Sequence, residues 1–410
     1  MRARTKEFLI SRFREYYISN SLEVPPSLDS REWGFIFFDE EKGMHRHKSY
    51  LRRNELLDYV RSIVPAHIYH SAAYYQKPSA PTMKEKIWKG ADLIFDLDAD
   101  HIRKAPNSYG EMLALVKKET FRLLTFLTDD FGFDERSMNV VFSGGRGYHI
   151  HVRHPIVLSL KNDERREIVD YLTGRGLDIK SFIFEVPVTG DYGSKKRARS
   201  YRVLAQGSAG WGGRINRSLV SFITNLRDLD EEEAIRGLCK IKGIKKNWAT
   251  NFYEIIISKN IIEEIRQGRL DLFKGSPNIW GNLLKDYLEG EGVGGLAVGL
   301  DEEWGETDEP VTTDTKRLIR CPGSLHGGSG FRVTPLSIQN LEDFDPLWDA
   351  VVFGGDPVPV EIITPFNIEI RGQNNRLDIG HTELPLHTAV FLMARGAAEL
   401  GKVLDGDTSK

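Results

Sequence analysis

Apolar and polar positions change period along the chain, and each change marks an element. Residues 5 to 20 carry Phe8, Leu9, Phe13 and Tyr17 as a stripe among arginines, which is helical spacing, and Pro25 and Pro26 end that segment. Arg31 to Phe38 reads as a strand, Asp39 to Gly43 as its turn, and Met44 to Tyr50 as the returning strand. A short helix over 54–62 and a strand from His67 to Tyr75 follow. At Leu93-Ile94-Phe95-Asp96-Leu97-Asp98 the period is two: Leu93, Phe95 and Leu97 leave one face, Ile94, Asp96 and Asp98 the other. Ser108, with Glu111 three residues on, has the form of a capping box for a long helix. Met112, Leu115, Val116, Leu123, Leu124 and Leu127 form its buried side. A strand at Asn139 to Phe142 completes strand–helix–strand alternation.

Beyond a glycine-rich turn, His149 and His151 alternate with Ile150 and Val152, so both histidines share one face of a strand. A helix is predicted over Asp163 to Tyr171. Gln206 to Arg214 reads as a flexible glycine-rich connection. From about 217 to 290 the pattern becomes helical, with helices expected at Leu219 to Leu226, Glu231 to Leu238, Phe252 to Ile265 and Trp280 to Leu288. Phe331-Arg332-Val333 reads as a strand and Leu386 to Leu400 as a last helix, with Val390, Phe391 and Met393 near its buried side.

Composition narrows the class. The 410 residues are 40% hydrophobic and 28% charged, an ordinary globular balance with room for two or three domains. The formal net charge of -3 means that any nucleic-acid contact needs a local basic surface. Two cysteines, Cys239 and Cys321, rule out a disulfide framework and a four-cysteine zinc site. No apolar run reaches the length of a membrane span, and the first helix is too charged for a signal peptide. The expectation is a cytoplasmic, intracellular protein with no membrane contact.

Three stretches carry candidate chemistry. Asp96 and Asp98 leave one strand face close together, where they repel each other unless a cation lies between them. Hard Mg²⁺ or Mn²⁺ suits such oxygen donors, and a solvated pair at a strand end is the alternative. Ser143-Gly144-Gly145-Arg146-Gly147-Tyr148-His149 is a turn whose glycines let a ligand approach the backbone. Its amides with Ser143, Arg146 and His149 suit a phosphate. It has no Walker lysine or helix, and half-buried histidines beside a hairpin are the other reading. His154 could add a third nitrogen for zinc, but it precedes Pro155 and no cysteine is near. In the third stretch, Asp308, Glu309 and Asp314 precede Arg320-Cys321-Pro322-Gly323-Ser324-Leu325-His326. Acids, arginines and a histidine together point to metal-assisted phosphoryl or nucleotidyl transfer. Two basic features have a plain solvated reading beside a phosphate-binding one: Arg46 with Lys48, and the run from Lys195 to Arg202.

In this order the three stretches resemble the small catalytic subunit of archaeal and eukaryotic DNA primase, the archaeal form above all, as in Lys316-Arg317-Leu318-Ile319-Arg320. The resemblance also takes in Arg31-Glu32-Trp33 and Arg46 and spans nearly the whole chain. It implies a mixed α/β (α+β) primase-type catalytic core over residues 1–190 and 291–410, with a basic connector and inserted helical subdomain at 191–290. It implies that Asp96, Asp98 and a later acid hold Mg²⁺ or Mn²⁺. The later acid is Asp308, eighteen residues before His326, with Asp314 as its competitor. Ser143, Arg146, His149, Arg320 and His326 would bind nucleotide phosphates. Many relatives carry a Cys/His zinc knuckle soon after the first motif. Residues 100–110 here hold only His101, so no structural zinc is expected there. The implied activity is synthesis of short RNA primers on single-stranded DNA from nucleoside triphosphates. The implied partner is a large subunit carrying an iron–sulfur domain, and the implied place is the nucleoid. A repair-type primase-polymerase preferring deoxynucleotides, a metal-dependent phosphohydrolase or nuclease, and a non-catalytic nucleic-acid-binding scaffold are the competing readings.

Overall fold

The strand Gly147–Val152 is buried at all six positions, because it is a central strand with neighbours on both edges. Leu93–Asp98 and Met138–Phe142 flank it, each antiparallel to it, with Phe95 and Val140 both opposite Ile150. The two flanking strands therefore run parallel, and a single chain segment containing the helix Tyr109–Thr125 separates them in sequence. The hairpin strand then returns between them. Thr334–Leu336 completes this sheet beyond Met138–Phe142.

These are features of a computed structural model that describes residues 1–38, 43–101, 106, 108–187, 199–241, 243–258, 261–270 and 307–402. The chain divides into two units. One comprises Met1–Phe121, Phe133–Val169 and Glu306–Lys410, the other Arg122–Gly132 and Asp170–Gly305. The architecture is mixed α/β, as expected.

In the first unit a second antiparallel sheet has the order Leu318–Arg320, His67–Ser71, Trp33–Ile36, Met44–Lys48. Ala72, Ile94, Val311 and Ile319 form a buried cluster joining the two sheets. The single strand expected from His67 to Tyr75 is two strands in different sheets, since Ala73–Tyr75 pairs with Trp88–Ala91. At the divide the buried Arg31 Nη1 donates to the carbonyls of Ser71 (2.6 Å) and Ala72 (3.2 Å), while the Ala72 carbonyl also accepts from Asp92 N at 3.0 Å, where pairing with the next strand begins. Arg31 Nη2 pairs with Asp92 at 2.8 Å, so the charge is matched where it is buried.

Two further expectations are corrected. Residues 331–333 bond to the loop before them, Val333 N to Ser324 O at 2.8 Å, and the strand lies one step on at Thr334–Leu336. The last helix ends at Ala394: Gly396 takes a left-handed φ of 73°, and Ala398–Leu400 is a strand beside Pro357–Ile362. The turn expected at Asp39 to Gly43 lies mostly outside the described residues.

The second unit contains the helices Gly210–Asp228, Glu231–Leu238, Lys246–Ser258 and Ile261–Arg266. They close on Ile215, Leu219, Ile223, Leu226, Leu238, Phe252 and Ile256. The stretch read as a flexible connection is in part the first turn of the first of these helices. A Cβ on Gly213 would stand 1.8 Å from Ser208 O, so glycine is needed for close approach rather than for flexibility. Asp130 anchors that turn, accepting from Gly210 N (3.0 Å) and Arg214 Nε (2.9 Å). The helix expected from Phe252 to Ile265 is two helices. The helix expected at Trp280 to Leu288 and the start of the basic run, 195–198, lie outside the described residues. Arg199–Arg202 pairs as a strand with Phe184–Pro187.

Candidate active site

Asp96 and Asp98 stand opposite His149 and Gly147 of the central strand. The strands approach so closely at Gly147 that a Cβ there would lie 2.0 Å from Leu97 O. The short helix Glu309–Thr313 docks against the acid strand: Asp308 N donates to Asp96 O at 2.8 Å and Thr307 Oγ1 to the same oxygen at 3.3 Å. Asp308 is thereby the acid beside Asp96. Asp314, at the far end of that helix, accepts from Lys316 N at 2.8 Å within its own turn. Burial, then repulsion from Asp98 and Asp308, pushes Asp96 up to about 7, against the attraction of Arg317 and Arg320.

The basic groups come from two motifs. Arg146 lies 3.5 Å from Asp98 and also pairs with Asp100. His149 Nε2 is 3.4 Å from Asp96 Oδ1. Burial, then Arg320 and Arg317, drive His149 down to about 3, so this is a neutral imidazole facing a carboxyl group and not an ion pair. Ser143 Oγ accepts from Gly145 N at 3.3 Å within the turn. Arg320 Nη1 lies 2.6 Å from His67 Nδ1, with its guanidinium over the Tyr69 ring at 5.1 Å. Burial, then the Arg320 charge, depresses His67 to about 3. The His326 ring meets His67 edge-on at 5.0 Å, and its Nδ1 accepts from Gly328 N at 3.1 Å.

The glycine turn lies directly on His326. A Cβ on Gly144, whose φ is +76°, would be 2.8 Å from His326 Cβ, and one on Gly145 would be 3.0 Å from its Nε2. Ser329 Oγ and Tyr109 OH hold the turn by donating to the carbonyls of Gly144 and Gly145, each at 2.5 Å. Asp96, Asp98, Asp308, Ser143, Arg146, His149, Arg320 and His326 are thus joined through consecutive contacts. Arg46 is elsewhere, gripping the buried Glu32 at 3.1 and 3.3 Å. Sequence reasoning missed His67, Arg317, Tyr109 and Arg395, whose guanidinium covers the Tyr109 ring at 4.7 Å. Only Arg317 carried a signal, three residues before Arg320 in the quoted basic run. A cavity of about 1000 Å³ opens beside Tyr109, lined by Glu111, Lys117, Asp345 and Asn367 among others; the acids and the motif histidines do not line it.

As the side chains stand, no three His, Cys, Asp or Glu groups among the described residues are close enough to ligate a metal ion. The donor chemistry nonetheless fits a hard divalent cation. Asp96, Asp98 and Asp308 offer only oxygen, and their mutual repulsion, felt at Asp96, is what such a cation would relieve. The absence of zinc expected at 100–110 falls in part on residues outside those described.

The sequence model of the DNA primase small subunit family matches residues 95–338. The DNA primase small subunit PriS of Methanothrix thermoacetophila is 58% identical over 405 residues, covering 98% of this chain and 100% of that protein. The chain belongs to the DNA primase small subunit family. The PriS proteins of Methanocella arvoryzae and Methanococcoides burtonii are 46% and 45% identical, over 97% and 98% of this chain and 99% and 100% of theirs. The chain is therefore an enzyme of the archaeal primase kind, a nucleotidyltransferase. Its match to the family begins at Phe95, inside the acid strand, and runs past His326, so all three motifs lie within it. Among the described residues, no helix is long and apolar enough to cross a membrane.

Proposed function

We propose that this chain makes short RNA primers on a single-stranded DNA template, as the catalytic subunit of a heterodimer, with Asp96, Asp98 and Asp308 holding Mg²⁺ or Mn²⁺. The observation that carries the reading is the Asp308 amide bonded to the Asp96 carbonyl, which brings a third acid from far along the chain to the acid strand. Bound divalent ions would supply charge neutralisation at the triphosphate and a lowered pKa for the attacking 3′-hydroxyl. The chain's own groups do the rest. Arg146 and Arg320 neutralise phosphate oxygens, and Arg146 exchanges its carboxylate partners for them. His149 and His326, both kept neutral, donate N–H bonds without adding charge. The glycine turn lets phosphates lie against its amides. No base-reading group is assigned, so pairing with the template supplies fidelity.

Two cysteines cannot ligate a four-thiolate cluster, so an iron–sulfur domain must come from the large subunit. That partner would raise template affinity through effective concentration. The test is template-directed dinucleotide formation and primer extension, with and without the large subunit, at fixed salt and with ribo- or deoxynucleotides. Extension by the isolated chain, with initiation requiring the partner, supports the proposal. Cleavage without extension would mark a nuclease, and a marked deoxynucleotide preference on gapped duplex would mark a repair-type polymerase.

A further inference from the structure

Apart from His47 Nδ1, which lies 3.3 Å from Glu32, three histidines of the first unit have buried ring nitrogens without a hydrogen-bond partner: His149 Nδ1, His151 Nε2 and His70 Nε2. The residues are 4%, 0% and 0% exposed. His149 and His151 share a face of the central strand, and His70 belongs to the other four-stranded sheet. Burial, then neighbouring arginines, pushes His70 and His151 well below the ordinary histidine range, so each ring is neutral and carries a single N–H.

Their other contacts assign the protons. His151 Nδ1 lies 3.4 Å from Arg153 Nη2, and a guanidinium only donates, so Nδ1 accepts and the proton is on Nε2. His70 Nδ1 lies 3.2 Å from Ser71 O, which only accepts, so the proton is on Nδ1 and Nε2 is a lone pair. His149 Nε2 lies 3.4 Å from Asp96 Oδ1, and a carboxylate, once ionised, only accepts, so with Asp96 ionised the proton is on Nε2 and Nδ1 is a lone pair. The unpartnered atoms are thus one donor and two acceptors. The His70–His151 and His149–His151 ring centroids are each 6.2 Å apart. A direct N–H···N bond needs centroids within about 5.2 Å, whereas two imidazoles bonded to one water at a tetrahedral angle have centroids about 6.5 Å apart. Trp33 Nε1–H, also unpartnered, belongs to the residue opposite His70 and is the donor available for such a water's second lone pair.

We infer that one buried water accepts from His151 Nε2–H and donates to His70 Nε2 and His149 Nδ1, which makes His70 and His151 positioning residues that hold His149 as its Nε2–H tautomer. A buried water with three or four protein bonds is the usual way such groups are satisfied, and leaving them unmet is costly. The consequence is a fixed N–H on His149 aimed at the acid site. That use rests on the proposed role of His149 as a phosphate donor; the water and the tautomers do not.

Ring ¹⁵N NMR of the full chain, metal-free at mildly alkaline pH and assigned by single-histidine variants, reads the tautomers directly. Protons on Nε2 of His149 and His151 and on Nδ1 of His70 are expected. His151→Phe should shift His149 to mixed tautomers and raise the nucleotide KM roughly tenfold. His151→Gln keeps a donor at the same reach and should restore both. A proton on His149 Nδ1 in the unaltered protein, or an unchanged His149 tautomer in His151→Phe, overturns the inference. Should His151→Phe fail to fold, the tautomers of the unaltered protein decide alone. If the tautomers are as expected but His149→Ala leaves the nucleotide KM unchanged, the phosphate-donor reading falls and the shared water stands.

Discussion

The two units have opposite interiors. The first buries charge: Arg31 with Asp92, Glu32 with Lys86 and Arg46, Arg165 on backbone carbonyls, and three histidines without protons to spare. The second closes on isoleucine, leucine and phenylalanine, and among its described residues the buried ion pair is Asp130 with Arg214. A hydrocarbon core tolerates small shifts, because dispersion is non-directional. A buried ionic network does not, because each partner removed leaves an uncompensated charge. The unit that holds the acids is accordingly the one whose strands are held by directional bonds.

The sharpest way to break this contrast is at the acids. Asp96→Asn or Asp98→Asn should lower primer synthesis roughly a thousandfold. The metal-free melting temperature should not fall, since the substitution relieves repulsion. Activity at the unaltered level across a Mg²⁺ and Mn²⁺ titration would remove both residues from the site. Next in size is the third acid. Asp308→Asn should cost activity roughly a hundredfold or more, and Asp314→Asn less than about threefold. Parallel assays rank the two, and the reverse order would show that Asp314 is the working acid.

The second unit offers the complementary test. Ile223→Ala, at a fully buried position, should cost about 3 kcal/mol in denaturant unfolding and leave turnover per folded molecule unchanged. A loss of turnover in the fully folded variant would mean that the helical unit takes part in the chemistry.

The smallest effect is set by pH. Burial would raise the Glu32 carboxyl, but the hydrogen bond and charge of Arg46, then Lys86 and the His47 amide, outweigh it and hold it below its ordinary 4.5. A depressed carboxyl stabilises the fold above the unfolded value, and that stabilisation is lost as pH falls through the folded one. Glu32→Gln should therefore cost up to about 3 kcal/mol near neutrality, with the gap narrowing as pH drops below 4.5. A gap independent of pH would show that the carboxylate charge carries no stability.

Where packing is hydrocarbon, helix was legible from spacing, and Glu231–Leu238 is where the pattern places it. The helix expected at Leu219 to Leu226 lies within Gly210–Asp228, and its start was missed because the first turn is held by Asp130, a residue far back in the chain that no local window contains. In the first unit the single strand read from His67 to Tyr75 divides at Ala72, whose N–H bonds to Arg317 O and whose carbonyl bonds to Asp92 N, partners that no local window contains. The family resemblance, not the spacing of acids in its own stretch, singled out Asp308 from its neighbours.

The sequence by itself determined that Asp96 and Asp98 share a face, that His149 and His151 share another strand's face, and that a glycine turn precedes them. These follow from the two-residue period of a strand and the backbone freedom of glycine, both properties of contiguous residues. Only the tertiary structure decided that Asp308 meets Asp96, that His67 meets Arg320, and that Arg46 is bound to Glu32. It also decided that His149 is neutral, because a histidine's charge depends on burial and on arginines more than a hundred and fifty residues away. Those contacts join segments whose local preferences carry no record of each other, and they exist only once the chain has closed on itself.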